Sequence, residues 1–267
     1  MSNYIIAIPS YKRENIIKDK TLSTLQKYNI NRKLIYIFVS DQLEYDIYNI
    51  AIPKNFYNKI VIGKIGLKNQ RNFISNYFKE GTCIVQLDDD IDNIVELVND
   101  SKIIPKTKTN RNFRKKNKLK SISDLNKFIK DAFKICKKEK IYLWGVYPIA
   151  NPYFMTLSMD TKLNFIVGPF WGMINRHSKD LKQTINEKEN VERTLQFYIK
   201  DKAVLRFNYI SIITKYYKNK GGMQFDGIDR KFESLKSVRY LHNKYPALTK
   251  IDLTKKSGMP EIRLIKK

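Results

Sequence analysis

The sequence predicts an α/β fold built on a mostly parallel sheet with helices on both faces. Three observations predict it. Over the first hundred residues, short apolar runs alternate with segments of helical period, as in successive β–α units. Each apolar run stops at Pro, Ser, Gly or Asp, so polar residues collect where strands end. The chain has 267 residues, 42% of them hydrophobic and 12% aromatic, enough for a sizeable core.

The elements follow in order. Tyr4 to Ile8 reads as a strand stopped by Pro9-Ser10. Asn15 to Tyr28 has helical spacing, with Ile17, Leu22 and Leu25 near one face. Leu34 to Val39 is a second strand and Asp41 to Ile50 a short helix. Lys59 to Ile62 is a third strand, ended by Gly63, and Leu67 to Phe78 a helix. Cys83 to Leu87 is a fourth strand. Ser121 to Glu139 is an amphipathic helix with Leu125, Phe128, Ile129, Ala132, Phe133 and Cys136 on one side. Beyond it the pattern turns to short strands at Tyr142 to Tyr147, Asn164 to Val167 and Trp171 to Asn175. A helix at Val191 to Lys200, a strand at Ala203 to Tyr209 and a basic tail from Ile228, one helix and an extended end, complete the chain. No internal repeat or linker divides it, so one domain is expected over 1–267.

The fourth strand ends in Asp88-Asp89-Asp90. In open α/β sheets ligands bind at the carboxyl ends of strands. An extended segment would send Asp88 and Asp90 to one face and Asp89 to the other. Two carboxylates on one face suit a hard divalent cation, which can also hold the phosphates of a nucleotide. A helix cap is the plainer reading of any single Asp there. The other strand ends add Pro9, Ser10, Tyr11 and Arg13, then Ser40 and Asp41, then Gly66 with Arg71 and Asn72. Together they read as a nucleotide pocket. Tyr11 would stack on a base and Asp41 accept from it, with Arg71 and Asn72 near ribose or phosphate.

Lys and Arg total 51 against 26 Asp and Glu, a formal net charge of +25. Such a surface attracts polyanions, nucleic acid first among them. A drift towards Lys, Asn, Ile and Tyr could supply many lysines without supplying this deficit of acids. Positive charge concentrates at Lys102, Lys106, Lys108, Arg111, Arg114, Lys115, Lys116, Lys118 and Lys120, with no acid between them. That stretch reads as a basic loop gripping phosphates, or as a solvated segment. No apolar run is long enough for a membrane span, and the N-terminus lacks the pattern of a signal peptide. Cys83 and Cys136 have no metal-ligand spacing and suit a reducing compartment. A cytoplasmic protein is expected.

The ordered motifs carry a resemblance. Ile6-Ala7-Ile8-Pro9-Ser10-Tyr11-Lys12-Arg13, Gly66-Leu67 with Gln70-Arg71-Asn72-Phe73-Ile74, and Leu87-Asp88-Asp89-Asp90-Ile91 resemble a glycosyltransferase of the GT-A type, a Rossmann-like fold. With Val167-Gly168-Pro169-Phe170-Trp171-Gly172 and Leu205-Arg206-Phe207-Asn208, they look like the TET-associated DNA glycosyltransferases, found largely in bacteriophages. The resemblance runs from about Tyr4 to Gly222.

It implies a UDP-sugar donor, UDP-glucose first, and Mn²⁺ or Mg²⁺ on Asp88 and Asp90. The implied acceptor is a hydroxymethylated pyrimidine in DNA, 5-hydroxymethylcytosine first, in the host cytoplasm if the gene is a phage's. The donor-binding residues would be Pro9, Ser10, Tyr11, Arg13, Asp41, Gly66, Arg71, Asn72, Asp88, Asp89 and Trp171. Residues 1–99 would form the nucleotide-sugar half, 100–120 the basic loop, 121–227 the acceptor half and 228–267 a basic C-terminal extension. Glu189, Glu192 and Asp90 are the candidates for catalysis. Family members of inverting type often open a helix with Glu-Asp where this chain has Glu189-Asn190. Gly221-Gly222 would be a flap or a plain turn, and His242 a third metal ligand or a packing residue.

Other readings remain. One is a GT-A enzyme acting on a glycan or anionic lipid, and another is a metal-dependent nuclease or nucleotidyltransferase on the triple Asp. A non-catalytic nucleic-acid binder would leave the acidic cluster without a role.

Overall fold

The computed structural model describes residues 4–99, 116–214, 229–255 and 258–265. Its centre is an eight-stranded sheet of order β3-β2-β1-β4-β9-β7-β10-β8. The strands are β1 (Ile5–Pro9), β2 (Ile35–Val39), β3 (Lys59–Ile62), β4 (Cys83–Leu87), β7 (Leu143–Val146), β8 (Met159–Asp160), β9 (Phe170–Ile174) and β10 (Leu205–Phe207). The first four are mutually parallel, with Ile6 opposite Ile35 and Val85, and Ile37 opposite Ile60. β9 runs antiparallel between β4 and β7, and β7 pairs in parallel with β10. The sheet is therefore mostly parallel, as the alternation predicts, with β9 and the short β8 reversed.

Helices cover both faces. One runs through Glu14–Ile17, a π-helical turn at Lys18–Leu22, and Ser23–Lys27. The others are Gln42–Ala51, Leu67–Tyr77, Leu125–Glu139, Glu189–Asp201 and Arg230–Lys244. The predicted stripe of Leu125–Glu139 is the buried one, and it docks on the sheet through aromatic edges. Phe128 and Phe133 meet the Trp144 ring edge-on at 5.7 and 5.6 Å, and Phe170 and Phe207 close around the same indole. Gly172 lies opposite Trp144 across β7–β9, and a Cβ there would stand 2.4 Å from the indole. Overpacking of that kind costs about 1–3 kcal/mol. Gly172→Ala is expected to lower the urea midpoint accordingly, and an unchanged midpoint would mean that the indole can move aside.

The sequence pattern missed or misplaced several segments. β5 (Ile91–Asn99) continues straight from the Asp turn and pairs antiparallel with β6 (Asn117–Ser121) and β11 (Ile210–Thr214) in a second sheet. β6 takes the end of the expected basic loop and the start of the expected helix. Asn164 to Val167, expected as a strand, pairs with none. Helix side chains bond its backbone instead: Thr194 Oγ1 accepts from Ile166 N, and Arg193 reaches the Ile166 and Val167 carbonyls.

The tail is a helix and a hairpin, β12 (Thr249–Asp252) with β13 (Glu261–Leu264). Val238, Leu241 and Ile262 pack on Leu163, Val191 and Leu195, so the tail is built into the protein body. No helix among the described residues is long and apolar enough to cross a membrane.

Candidate active site

The polar strand ends meet in one cleft. β1 has β2 on one side and β4 on the other, and a crevice opens outside such a reversal of strand order. There lies a cleft of about 680 Å³, lined by Pro9, Ser10, Tyr11, Arg13, Ser40, Gly66 and all three of Asp88, Asp89 and Asp90. Thr184 to Glu187 and the tail residues Glu233, Lys236, Ser237 and Tyr240 form the facing wall.

The Asp segment is a turn, and the strand-like alternation expected for it does not apply. The π-helical turn holds it in place. Thr21 Oγ1 donates to the Asp88 carbonyl at 2.8 Å and accepts from Ile91 N at 2.9 Å, and Asp88 N donates to the Pro169 carbonyl. Asp89 is buried, accepting from Ser10 Oγ at 2.6 Å and pairing with Arg13 at 2.9 Å. Burial pushes its carboxyl up to about 6, against the pull of Arg13. Asp90 Oδ1 lies 3.1 Å from Thr214 Oγ1, and its Oδ2 is 3.6 Å from Arg13. Asp88 pairs with Arg71 at 2.9 Å. A third of its side chain (33%) opens to the cleft, yet the surrounding protein still disfavours its charge. Burial first, and the nearby Asp90 charge, hold it above the usual carboxylate value although Arg71 opposes both.

Asp88 and Asp90 fit a divalent cation of a particular kind. Among the described residues no group of three or more His, Cys, Asp or Glu side chains is placed to hold a metal. Two crowded carboxylates at an open cleft suit a hard cation that completes its shell with water and phosphate oxygens.

The turn after β3 supplies the opposite polarity. Gly66, at φ 83°, starts the Leu67–Tyr77 helix, whose N-terminus faces the cleft beside Lys64 and Lys68. Buried Gln70 fixes that turn, accepting from Lys64 N at 2.8 Å and donating to the Val39 carbonyl at 3.0 Å. A Cβ on Gly63 would sit 2.0 Å from Gln70 Oε1. Gly63→Ala is therefore expected to displace the amide and weaken phosphate-containing ligands about tenfold. Isothermal titration checks this, and unaltered binding would show that the turn does not form the ligand contact.

Other expected residues lie off the cleft. Asp41 is the exposed N-cap of Gln42–Ala51, accepting from Glu44 N, and its bond from Ser40 Oγ helps hold its carboxyl below the ordinary value. Ser40, not Asp41, lines the cleft. Asn72 ties the 183 segment down, donating to the Gln183 carbonyl and accepting from Gln183 N. Trp171 is 1% exposed and too deep to stack on a sugar or base; it lies under Arg193 at 3.7 Å and Arg71 at 5.5 Å.

Glu189 is buried between Arg71 at 3.8 Å and Arg193 at 3.9 Å, with burial raising its carboxyl. Glu192 is fully buried and accepts from Thr184 N, Thr184 Oγ1 and Ile185 N. It fixes the cleft wall and does not face the ligand space. The nearby carboxylate on the cleft is Glu187, which a reading anchored on the helix start passed over. His242 bonds Thr249 Oγ1 at the hairpin, and His177 sits against the Ser75 and Phe78 carbonyls. Neither joins Asp88 and Asp90.

Lys102, Lys106, Lys108, Arg111, Arg114, Lys115 and Gly221-Gly222 fall outside the described residues. Lys116 and Lys118 are exposed at the β6 end of the second sheet.

No protein-family model matches the chain, and no curated protein matches it in sequence. Solved structures match its fold. The crystal structure of S. aureus TarS 1-349 and that of TarS 1-349 in complex with UDP each superpose with a TM-score of 0.50 at 12% identity. Each match covers 79% of this chain and 59% of that one. A longer TarS structure gives a TM-score of 0.50 at 11% identity, covering 91% of this chain and 43% of TarS. The chain thus spans less than two thirds of these structures. The shared feature is the fold: GT-A-like, a mostly parallel sheet flanked by helices.

Proposed function

We propose that the protein is a metal-dependent glycosyltransferase that moves a sugar, glucose as first choice, from a UDP-sugar to DNA. The acceptor would be the hydroxyl of a hydroxymethylated pyrimidine, 5-hydroxymethylcytosine first. The observation that carries the reading is the cleft itself. It gathers Ser10, Tyr11, Arg13, the Asp turn and the Gly66 helix start at the carboxyl ends of β1 to β4 of a GT-A-like fold. The similar TarS structure in complex with UDP supports a uridine nucleotide there. The net charge of +25 and the resemblance of the ordered motifs to TET-associated DNA glycosyltransferases support DNA as acceptor.

The residues divide the work by chemistry. Tyr11 stacks on uracil and Ser40 offers a hydroxyl to it. The Leu67–Tyr77 helix N-terminus, with Lys64 and Lys68, receives diphosphate oxygens, as helix starts do. Asp88 and Asp90 would hold Mn²⁺ or Mg²⁺, which neutralises charge on a diphosphate leaving group. Asp89 holds Arg13 and Ser10 in place, and Arg71 orients Asp88. The acceptor oxygen attacks the anomeric carbon as the bond to the β-phosphate oxygen breaks, and UDP leaves with that electron pair. The hydroxyl proton passes to a carboxylate, and we assign this to Glu187, on the cleft wall just before the Glu189–Asp201 helix. Glu189 and Glu192 act as supports. A major-groove hydroxymethyl is reachable directly or by base extrusion.

UDP release from UDP-glucose with Mn²⁺ tests the donor half alone. Slow hydrolysis that stops in Lys64→Ala/Lys68→Ala is expected. Absence of UDP release with every UDP-sugar, with or without hydroxymethylated DNA, would overturn the reading.

A further inference from the structure

The cleft has two walls of different chemistry. One is cationic: Arg13, Lys64, Lys68 and the Leu67–Tyr77 helix start, groups that suit a diphosphate. The other is the tail helix Arg230–Lys244, which turns Glu233, Lys236, Ser237 and Tyr240 to the cleft. Those positions fall at i, i+3, i+4 and i+7, one face of a helix. The adjoining face carries Val238 and Leu241, both fully buried against the protein body, and Ser234 Oγ donates to the Pro260 carbonyl at 3.1 Å. The stripe is therefore fixed in place. Glu233 and Lys236 form an ion pair at 2.9 Å, and both side chains remain partly exposed. Ser237 is 6% exposed, and its hydroxyl has no hydrogen-bond partner among the described residues. The Tyr240 ring is 39% exposed. A carboxylate, an ammonium, a spare hydroxyl and an aromatic ring together suit a planar, uncharged ligand that both donates and accepts hydrogen bonds. The same wall carries Glu187. Thr184, three residues before it, lies 3.0 Å from the Tyr240 hydroxyl, and Lys188, directly after it, pairs with Glu261 of the hairpin at 3.4 Å. The carboxylate assigned to take the acceptor's proton is thus bracketed by contacts to the tail, which puts the acceptor beside the stripe.

We propose that Glu233, Lys236, Ser237 and Tyr240 bind the acceptor's pyrimidine, turned out of the duplex into the cleft. The inference rests on the glycosyltransferase reading and deepens it by naming how DNA enters and what receives the base. Shape decides the matter. Asp88, Asp90 and Glu187 line a recess. A hydroxymethyl on a paired base lies in another recess, a major groove about 8.5 Å deep. Two recesses cannot bring their floors together, so the base leaves the stack, as it does for enzymes that work on a base in an enclosed pocket. Once out, its ring stacks on Tyr240, and stacking of this kind tolerates any pyrimidine. Glu233 accepts from the base's N–H groups, and Lys236 and Ser237 donate to its carbonyl and ring nitrogen, on the edge that pairing had occupied.

Transfer kinetics on two duplexes test this, with 5-hydroxymethylcytosine placed opposite guanine or opposite an abasic site. kcat/KM is expected to be about tenfold or more higher opposite the abasic site, where the unpairing is already done. Tyr240→Leu, which removes the ring, should raise KM for DNA about tenfold and leave KM for UDP-glucose unchanged. Tyr240→Phe, which keeps the ring, should recover most of that loss. Glu233→Gln, at a partly exposed position, gives a second reading and should also act on KM for DNA alone. Equal kcat/KM on the two duplexes would overturn base extrusion. Variants that raise KM for UDP-glucose instead would show that the stripe holds the donor's sugar, which also overturns the proposal. Both of those results leave sugar transfer to DNA intact. Release of UDP with no transfer to either duplex would instead remove DNA as acceptor, and this inference with it.

Discussion

Asp90→Ala is expected to reduce sugar transfer by about 10³-fold or more, roughly 4 kcal/mol of transition-state stabilisation. The reason is positional. Asp88 and Asp90 are carboxylates of one turn that both reach the cleft, and no third ligand among the described residues takes over. The Asp90 carboxylate accepts from Thr214 Oγ1 at 3.1 Å, whereas Thr21 and Pro169 hold the turn through its backbone. The variant should therefore fold like wild type. Circular dichroism with transfer rates at several Mn²⁺ concentrations checks this. A variant as active as wild type would remove Asp90 from the site.

Arg71→Met carries the largest expected cost in stability, about 3–5 kcal/mol, the usual result of stripping one partner from buried charges. Arg71 is 3% exposed and sits between Asp88, Glu189 and Gln86 Oε1. Its loss leaves two carboxylates already pushed up by burial. The sign with pH follows. A carboxyl whose folded value is raised binds its proton more tightly in the folded state. Stability therefore falls as pH rises from the ordinary carboxylate value through the folded one. Without Arg71 both groups move higher still, so the deficit against wild type should be small near pH 5 and largest near pH 8. Urea unfolding at the two values measures it. An equal deficit at both would mean that the carboxylates are not the groups responsible.

The β1 to β4 part of the fold was readable in the chain because each strand there is short, apolar and stopped by a distinctive residue. β1 to β4 and the Leu67–Tyr77 helix fall within a residue or so of expectation. The Asp turn, Tyr11, Arg13 and Gly66 meet in the cleft for the same reason. The parallel order carries every strand's carboxyl end to one edge.

What the pattern hid has physical causes. β5 follows three acids without a break and alternates weakly, so the pattern assigned it no element. β6, Asn117–Ser121, is largely polar and exposed, and it is a strand only through its pairing with β5. Trp171 looks like a ligand platform in sequence because aromatics bracketed by glycines often sit at turns. Its burial follows from β9 lying between β4 and β7, a topology that local sequence does not encode. Glu192 carries a helix-start signature that a catalytic base would share, and only the Thr184 and Ile185 bonds separate the two roles. The tail's part in the cleft needed the Val238 and Leu241 packing, which spans most of the second half of the chain.

Nucleoside mass spectrometry tests the central claim most directly. DNA containing 5-hydroxymethylcytosine would be incubated with a panel of UDP-sugars and Mn²⁺, using wild type and Asp90→Ala. The account predicts a hexose mass on the modified base with wild type and none with the variant. Release of UDP into water without any sugar on the base would contradict DNA as the acceptor.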